Sequence, residues 1–491
     1  MGIGYNLGNS FDCYDYNVKI ETPDEQITLN KNPIPSKNLI LKLRKYGFKT
    51  IRIPITWINF IDEKGNINSD WLYRVKEVVT WVINAKMYCI INVQNDGQYG
   101  NWLSYGLESK DIYINLWSQI AKEFKDYDEH LIFESMNQPD YFDYDFNYDY
   151  ETLLILSQAF VDTIRNSDNM NKQRLLLITG PYSDLDLTAV EQFKLPNDSY
   201  NKLAISIQYY NPSNFVFDEY YEPIIYTDPS GHTLISAPVL TWGNDNDYKL
   251  LFTDFNLIKS HFLDNNIPII ITALGVLTEE KKEIKSIREY LYSVFSLSTE
   301  YKGMMACLWD SSKNIIFTNN YVSYDMNYYN REEDKWYDEK IKNNFLLISK
   351  GKFIKMSEYY ILSNKDILIE PNYKGNYQLK ISNRKPLKIV LNVKLIGKLF
   401  KDIAFSISCY DSSDVLRNIP FDKKNLKKEY DGTSTFTVDI SNDNCFYYIS
   451  VDKYYGKNEN IIFNNLTVEF NDSFITFDYE SYKIDLENYV N

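Results

Sequence analysis

Eight continuous apolar runs, separated by amphipathic stretches, constrain the fold of this chain more than any other feature. They are Gly2–Asn6, Thr50–Ile55, Tyr88–Val93, Leu131–Met136, Leu175–Thr179, Leu203–Tyr210, Pro268–Gly275 and Met304–Trp309. A run that stays apolar at successive positions suits a strand buried on both faces, as in a parallel sheet covered by helices. The stretches between them place apolar residues at helical intervals: Ser36–Tyr46, Trp71–Lys86, Ile112–Phe124, Glu151–Asn166, Leu250–Asn265 and Glu280–Leu297. Ser36, after Pro35, and Asp70, before Trp71, read as N-caps. Eight such units over about 350 residues predict a (β/α)8 TIM barrel. A doubly wound open sheet is the rival. No Gly-rich phosphate loop follows a strand, which counts against its nucleotide-binding versions.

The pattern changes after Leu362. Helical spacing stops, and short alternating runs follow: Tyr377–Ile381, Lys388–Ile396, Ile403–Cys409, Ser434–Ile440, Cys445–Val451 and Ile461–Glu469. Clusters such as Asp431-Gly432 separate them, so residues 363–491 are expected to form a β-sandwich behind a 1–362 barrel. Such a module either stabilises its neighbour or binds carbohydrate. Tyr447, Tyr448, Tyr454 and Tyr455 suit a sugar platform, although strand aromatics are more often core.

Composition narrows the partners. The net charge of −15 disfavours nucleic acid and anionic membrane, both of which want basic patches. No apolar run reaches the 18 or more residues of a membrane span. The 43 Tyr and 8 Trp suit glycan stacking, but an abundance of Asn, Lys, Ile and Tyr together also reads as coding bias. Five Cys make no disulfide scaffold; Cys409 and Cys445 are the pair that a C-terminal bridge would use. Neither C-x-x-C nor H-E-x-x-H spacing occurs, so no metal or other cofactor is expected.

In a β/α barrel the chemistry sits at the C-terminal strand ends. There the chain carries Gly2-Ile3-Gly4-Tyr5-Asn6-Leu7-Gly8-Asn9, Thr50 to Trp57 with Arg52, Tyr88 to Asn95, His130 to Pro139, Ile205 to Pro212, Pro268 to Val276, and Cys307-Leu308-Trp309-Asp310. In order and spacing these segments resemble family 5 glycoside hydrolases, close to the endo-β-1,4-glucanases and xyloglucanases of plant-fibre-degrading anaerobes. The resemblance covers roughly residues 1–350.

That resemblance implies two carboxyl groups, an acid/base after the fourth strand and a nucleophile after the seventh, about 5–5.5 Å apart in a retaining enzyme. At those positions stand Gln138 and Ala273. The family's His pair is replaced by Gln94 and Asn95, and its sixth-strand His by Gln208. Arg52, Asn137, Tyr210 and Trp309 stand at matching substrate-holding positions, and Trp57, Trp102 and Trp242 are expected to line the cleft with them. Asp96 and Asp310 are the carboxylates at strand ends that a non-standard mechanism would draw on.

Three readings follow. The first is a catalytically silent barrel, not an enzyme, that binds β-glucan or a xyloglucan-type polysaccharide. The second is a scaffold or interaction protein of a cellulosome-type assembly, docking with scaffold or enzyme modules. The third is a hydrolase with unusual catalytic residues. All three imply an extracellular protein. No secretion signal is visible, since Met1 leads directly into the first run.

Overall fold

The computed structural model describes residues 1–353, apart from 98–99, 142–147, 168, 218–223, 228–232, 237–238, 279–281, 313–314, 317–321 and 324–325. It also describes Met356 and the backbone of the strands between 368 and 477. Chain contacts divide it into two units, Met1–Phe353 and Ile354–Asn491.

In the first unit eight parallel strands close into a barrel. They are β1 Gly4–Asn6, β2 Thr50–Ile53, β3 Tyr88–Ile91, β4 Leu131–Glu134, β5 Leu176–Thr179, β6 Leu203–Tyr209, β7 Ile269–Leu274 and β8 Met304–Leu308. Each pairs with its neighbours in chain order, and β1 closes the ring against β8 through Gly4↔Cys307 and Tyr5↔Leu308. The open-sheet alternative is therefore set aside. Helices α1 Lys37–Lys45, α2 Ser69–Asn84, α3 Lys110–Glu123, α4 Tyr150–Arg165, the short α5 Leu185–Thr188, α6 Asp245–His261, α7 Ile284–Glu300 and α8 Glu339–Ser349 alternate with the strands. The Ser36 side chain accepts from Leu39 N, as an N-cap should. The cap of α2 is Asn68, not Asp70; its side chain accepts from Asp70 N and Trp71 N, and Asp70 falls inside the first turn. An acid there is still favourable to the helix dipole.

The barrel interior is layered because strand side chains repeat every two residues. Ile90, Ile132, Leu177, Ala204, Ile270, Met305 and Cys307 form one apolar cluster drawn from six strands, with two residues from β8. Two residues further along the same faces stand Asn92, Glu134, Thr179, Ser206 and Thr272, all buried and polar. One more step along β3 and β6 reaches Gln94 and Gln208. The polarity of the core therefore rises toward the C-terminal strand ends.

In the second unit the strands form two five-stranded antiparallel sheets. One holds Leu368–Pro371, Tyr377–Ile381, Phe446–Lys453, Ile403–Tyr410 and Leu416–Ile419. The other holds Leu426–Lys428, Thr433–Asp439, Lys388–Ile396, Asn460–Glu469 and Phe474–Phe477. The Cys409–Cys445 pairing and the tyrosine platform concern side chains outside the described residues.

Candidate active site

The polar layer is built around one ion pair. Arg52 Nε donates to Glu134 Oε2 at 2.6 Å and its Nη2 to Glu134 Oε1 at 3.1 Å, with both side chains fully buried. Ser206 Oγ donates to the same carboxylate at 2.7 Å. Breaking such a pair on one side leaves an uncompensated buried charge, which typically costs about 3–5 kcal/mol. Arg52 Nη1 reaches Asn6 Oδ1 at 2.9 Å, and Nη2 reaches Asn137 Oδ1 at 3.1 Å and Gln94 Oε1 at 3.4 Å. The guanidinium is thus spent on protein groups and sealed from the cleft. Its expected role as a substrate contact is corrected to that of an anchor beneath the site.

Above it the amides at the strand ends join. Gln208 Nε2 donates to Asn137 Oδ1 at 2.9 Å, Gln138 Nε2 to Gln208 Oε1 at 3.1 Å, and Asn137 Nδ2 to Gln138 Oε1 at 3.3 Å. Asn92 Nδ2 donates to Gln94 Oε1 at 2.7 Å. Gln94, Gln138 and Gln208 therefore belong to one hydrogen-bonded floor with Asn137 and Arg52. Gln138 and Gln208 are partly exposed, whereas Asn137 is 2% exposed and offers the cleft little. Asn95 does not join: its Nδ2 donates to Asp12 O at 2.7 Å, away from Gln94. Ala273 is fully buried on β7 and in register with Gln208, so Gln208 is flanked by Gln138 and Ala273.

The tryptophans separate into two groups. Trp309 is partly exposed, with its Nε1 donating to Ser311 Oγ at 3.2 Å. It lies so close to Gly8 that a Cβ there would stand 3.1 Å from the ring. Trp102 is also partly exposed and donates from Nε1 to Asp96 Oδ1 at 2.8 Å. Tyr210 is partly exposed, its ring 4.8 Å from that of Phe217. Trp57 and Trp242 are corrections. Trp57 is 0% exposed, its Nε1 donating to Asn92 O at 3.0 Å, because it follows β2 into the core. Trp242 is 4% exposed, edge-on to Tyr248 and Tyr290 beside α6 and α7. Neither lines a cleft.

The strand-end carboxylates are occupied. Asp96 is fully buried; burial pushes its carboxyl up to about 6 against the opposing bonds from Trp57 N and Trp102. Asp310 accepts from Tyr328 N at 2.7 Å, Tyr329 N at 3.0 Å, the Tyr5 hydroxyl and Arg331 Nη2 at 3.3 Å. Burial raises it, opposed first by Arg331. Both acids hold backbone segments together. Among the described residues one group brings three metal-ligand atoms within 4.8 Å: Asp128, Glu129 and His130. It precedes β4, at the barrel end opposite the cleft, and its acids are exposed.

Sequence reasoning missed Asn6, Asn92, Ser206 and Thr272. The two-residue strand period, extended one step from each core residue, finds all but Asn6. Ser183, whose Oγ accepts Gln138 N at 3.1 Å, lies in a turn and leaves no periodic signal.

Comparison with known proteins places this geometry. The pattern described as Cellulase (glycosyl hydrolase family 5) matches residues 13–315. An endoglucanase A from Clostridium longisporum is 30% identical over 354 residues, 70% of this chain and 63% of that protein, so the chain spans less than two thirds of it. An endoglucanase A from Paenibacillus barcinonensis is 30% identical over 64% of this chain and 81% of its own length. Among solved structures, a GH5-4 broad specificity endoglucanase from an uncultured bovine rumen ciliate is 48% identical, with TM-score 0.67 over 72% of this chain and 96% of that one. A family 5 xyloglucanase from Paenibacillus pabuli is 29% identical, with TM-score 0.59 over 71% and 98%. These similarities correct one expectation. Gln138 and Ala273 led to the reading that the chain is not an enzyme, but the matched family and its relatives are glycoside hydrolases, so family membership points to an enzyme.

Proposed function

Because the chain belongs to glycosyl hydrolase family 5, we propose that its barrel binds a β-glucan-type chain across the C-terminal strand ends. The observation that carries this reading is the amide floor. Gln138 and Gln208 are both partly exposed and fixed in orientation through Asn137 and Arg52. Fixed amides offer donors and acceptors to sugar hydroxyls at little ordering cost. Trp309 and Tyr210 supply partly exposed rings beside them, suited to the C–H faces of pyranose units. The endoglucanase and xyloglucanase neighbours support the substrate class.

The family reaction uses one carboxyl to protonate the leaving oxygen and a second to attack the anomeric carbon. An amide at 138 moves no proton near neutral pH, and a methyl at 273 forms no glycosyl ester. We therefore assign the holding of the chain to this floor, with no proton transfer at 138 and no covalent step at 273. The two C-terminal sheets are read as a β-sandwich that adds sugar contacts, and the protein as extracellular, where such polysaccharides occur.

Calorimetric titration of the whole chain with cellohexaose and xyloglucan oligosaccharides tests the binding. Saturable heat is expected. A folded sample that gives none at millimolar ligand overturns it. Reducing-sugar release at saturating ligand tests the assignment of 138 and 273: a rate no higher than the uncatalysed one agrees with it, and turnover whose kcat falls to that level in Gln138→Ala contradicts it.

A further inference from the structure

We propose that Ser183 is a positioning residue for the side chain at 138, stapling the end of β4 to the turn after β5. The proposal rests on the sugar-binding reading of the cleft floor. Gln138 has φ 44°, and the turn that faces it holds Tyr182 at φ 51° and Ser183 at φ 55°. Three side-chain-bearing residues in the left-handed region at two adjacent strand ends are unusual, because the Cβ crowds the backbone there. Such conformations persist only where the surroundings over-determine them, and they gather at functional sites.

The surroundings here are specific. Gln138 N donates to Ser183 Oγ at 3.1 Å, which ties the peptide before Cα138. Pro139 O accepts from Tyr182 N at 2.9 Å and from the Tyr148 hydroxyl at 2.9 Å, which ties the carbonyl one residue beyond. Met136 O accepts from Thr179 Oγ1 at 2.6 Å. With the chain fixed before and after Cα138, the Cα–Cβ bond of residue 138 has one direction, and it leads to Gln208 Oε1 at 3.1 Å. The turn cannot yield backwards. A Cβ on Gly180 would stand 1.8 Å from Thr188 Oγ1, so the chain already lies against α5. Ser183 N and Asp184 N close the turn onto Gly180 O at 3.0 Å and Pro181 O at 2.7 Å. Ser183 is fully buried, so water does not replace its Oγ as the acceptor for Gln138 N.

Ser183→Gly separates positioning from folding. Glycine adopts φ near +55° without the crowding a Cβ brings, so the turn is kept, while the acceptor for Gln138 N is lost. The measurements are cellohexaose affinity and thermal midpoint for the parent, Ser183→Gly, Gln138→Ala and the double variant, each in the full chain. The expected result is a midpoint lowered by no more than a few degrees, because the strain relieved at 183 partly offsets the unpaired Gln138 N, with about tenfold weaker binding for Ser183→Gly. In the Gln138→Ala background the second substitution is expected to cost nothing further, since Ser183 acts through that side chain. Equal binding by the parent and Ser183→Gly, or losses that multiply in the double variant, overturns the proposal. A parent that binds no sugar refutes the ligand reading instead. Positioning is then judged by crystal structures: Gln138 Nε2 displaced from Gln208 in Ser183→Gly supports it, and an unmoved contact overturns it.

Discussion

Gln138 Nε2 donates to Gln208 Oε1 across 3.1 Å, and Gln208 Nε2 donates in turn to Asn137 Oδ1 at 2.9 Å. The direction of the chain is set from below, because Arg52 Nη2 is a donor only and makes Asn137 Oδ1 an acceptor. Gln208→Leu keeps much of the volume and cuts the chain in the middle. Stability is expected to fall by about 1–2 kcal/mol, since Asn137 keeps Arg52 as a partner and Gln138 meets solvent. Affinity for cellohexaose is expected to fall about tenfold, because Gln138 loses its fixed orientation. Chemical denaturation and calorimetry on the same samples check both.

Trp309 and Trp57 should respond in opposite ways. Trp309 is partly exposed just beyond β8, whereas Trp57 is sealed and bonded to Asn92 O. Trp309→Ala is expected to weaken oligosaccharide binding by about ten- to a hundredfold with a small change in stability. Gly8→Ala is expected to weaken binding with a cost in stability as well, because the added Cβ meets the Asp310 carbonyl at 2.9 Å before the ring at 3.1 Å. Trp57→Phe is expected to lower stability by about 1–3 kcal/mol, through lost packing and an unpaired Asn92 carbonyl, and to leave affinity unchanged. Binding lost in Trp57→Phe at full stability would return that residue to the cleft.

Asp96 gives the protein an acid-favoured component of stability. Burial raises its carboxyl to about 6, above the roughly 3.9 of an unfolded chain. Between those values the folded state binds the extra proton, so this contribution is full below about pH 4, declines as pH rises, and is gone above about 6. The difference is of order 3 kcal/mol. Asp12, also raised to about 6 by burial, adds a component of the same sign. Asp96→Asn removes the first component. The thermal midpoint of the parent, relative to that variant, is expected to fall from pH 4 to pH 7; a constant offset across the range contradicts this.

The barrel was legible because its cause is repetitive. Eight buried strands need eight apolar runs, and the observed strands lie within them, shortened by one or two residues where the chain turns into its loops. The site was legible where it extended a strand: Gln94, Gln138, Gln208 and Trp309 follow from strand ends. It was illegible where burial decides the role. Arg52 and Trp57 sit at positions that suggest ligand contact, yet Arg52 meets Glu134 across the barrel and Trp57 turns inward onto Asn92. A pairing 82 residues apart has no local signature. Trp242 failed for the same reason, since the tyrosines that cover it come from α6 and α7.

Gln138→Glu with Ala273→Glu asks whether the scaffold still holds the family geometry. Residue 273 is in register with Gln208 on the neighbouring strand, and the side chain at 138 already touches Gln208. The two positions therefore flank one residue, and the double variant asks whether carboxyls placed there reach the separation of about 5–5.5 Å that a retaining pair needs. A carboxylate at 138 would face Gln208 Oε1, but Gln208 can turn its amide to donate, giving up its bond to Asn137, which Arg52 still satisfies. The double variant is expected to raise reducing-sugar release from cellohexaose by about 10²–10⁴ over the parent, with either single change giving far less, because general acid and nucleophile act as a unit. Full family rates are not expected, since Gln94, Asn95 and Gln208 supply no imidazole. Stable binding with no gain in rate would mean that the two strand ends do not hold a pair of carboxyls at the spacing the reaction needs.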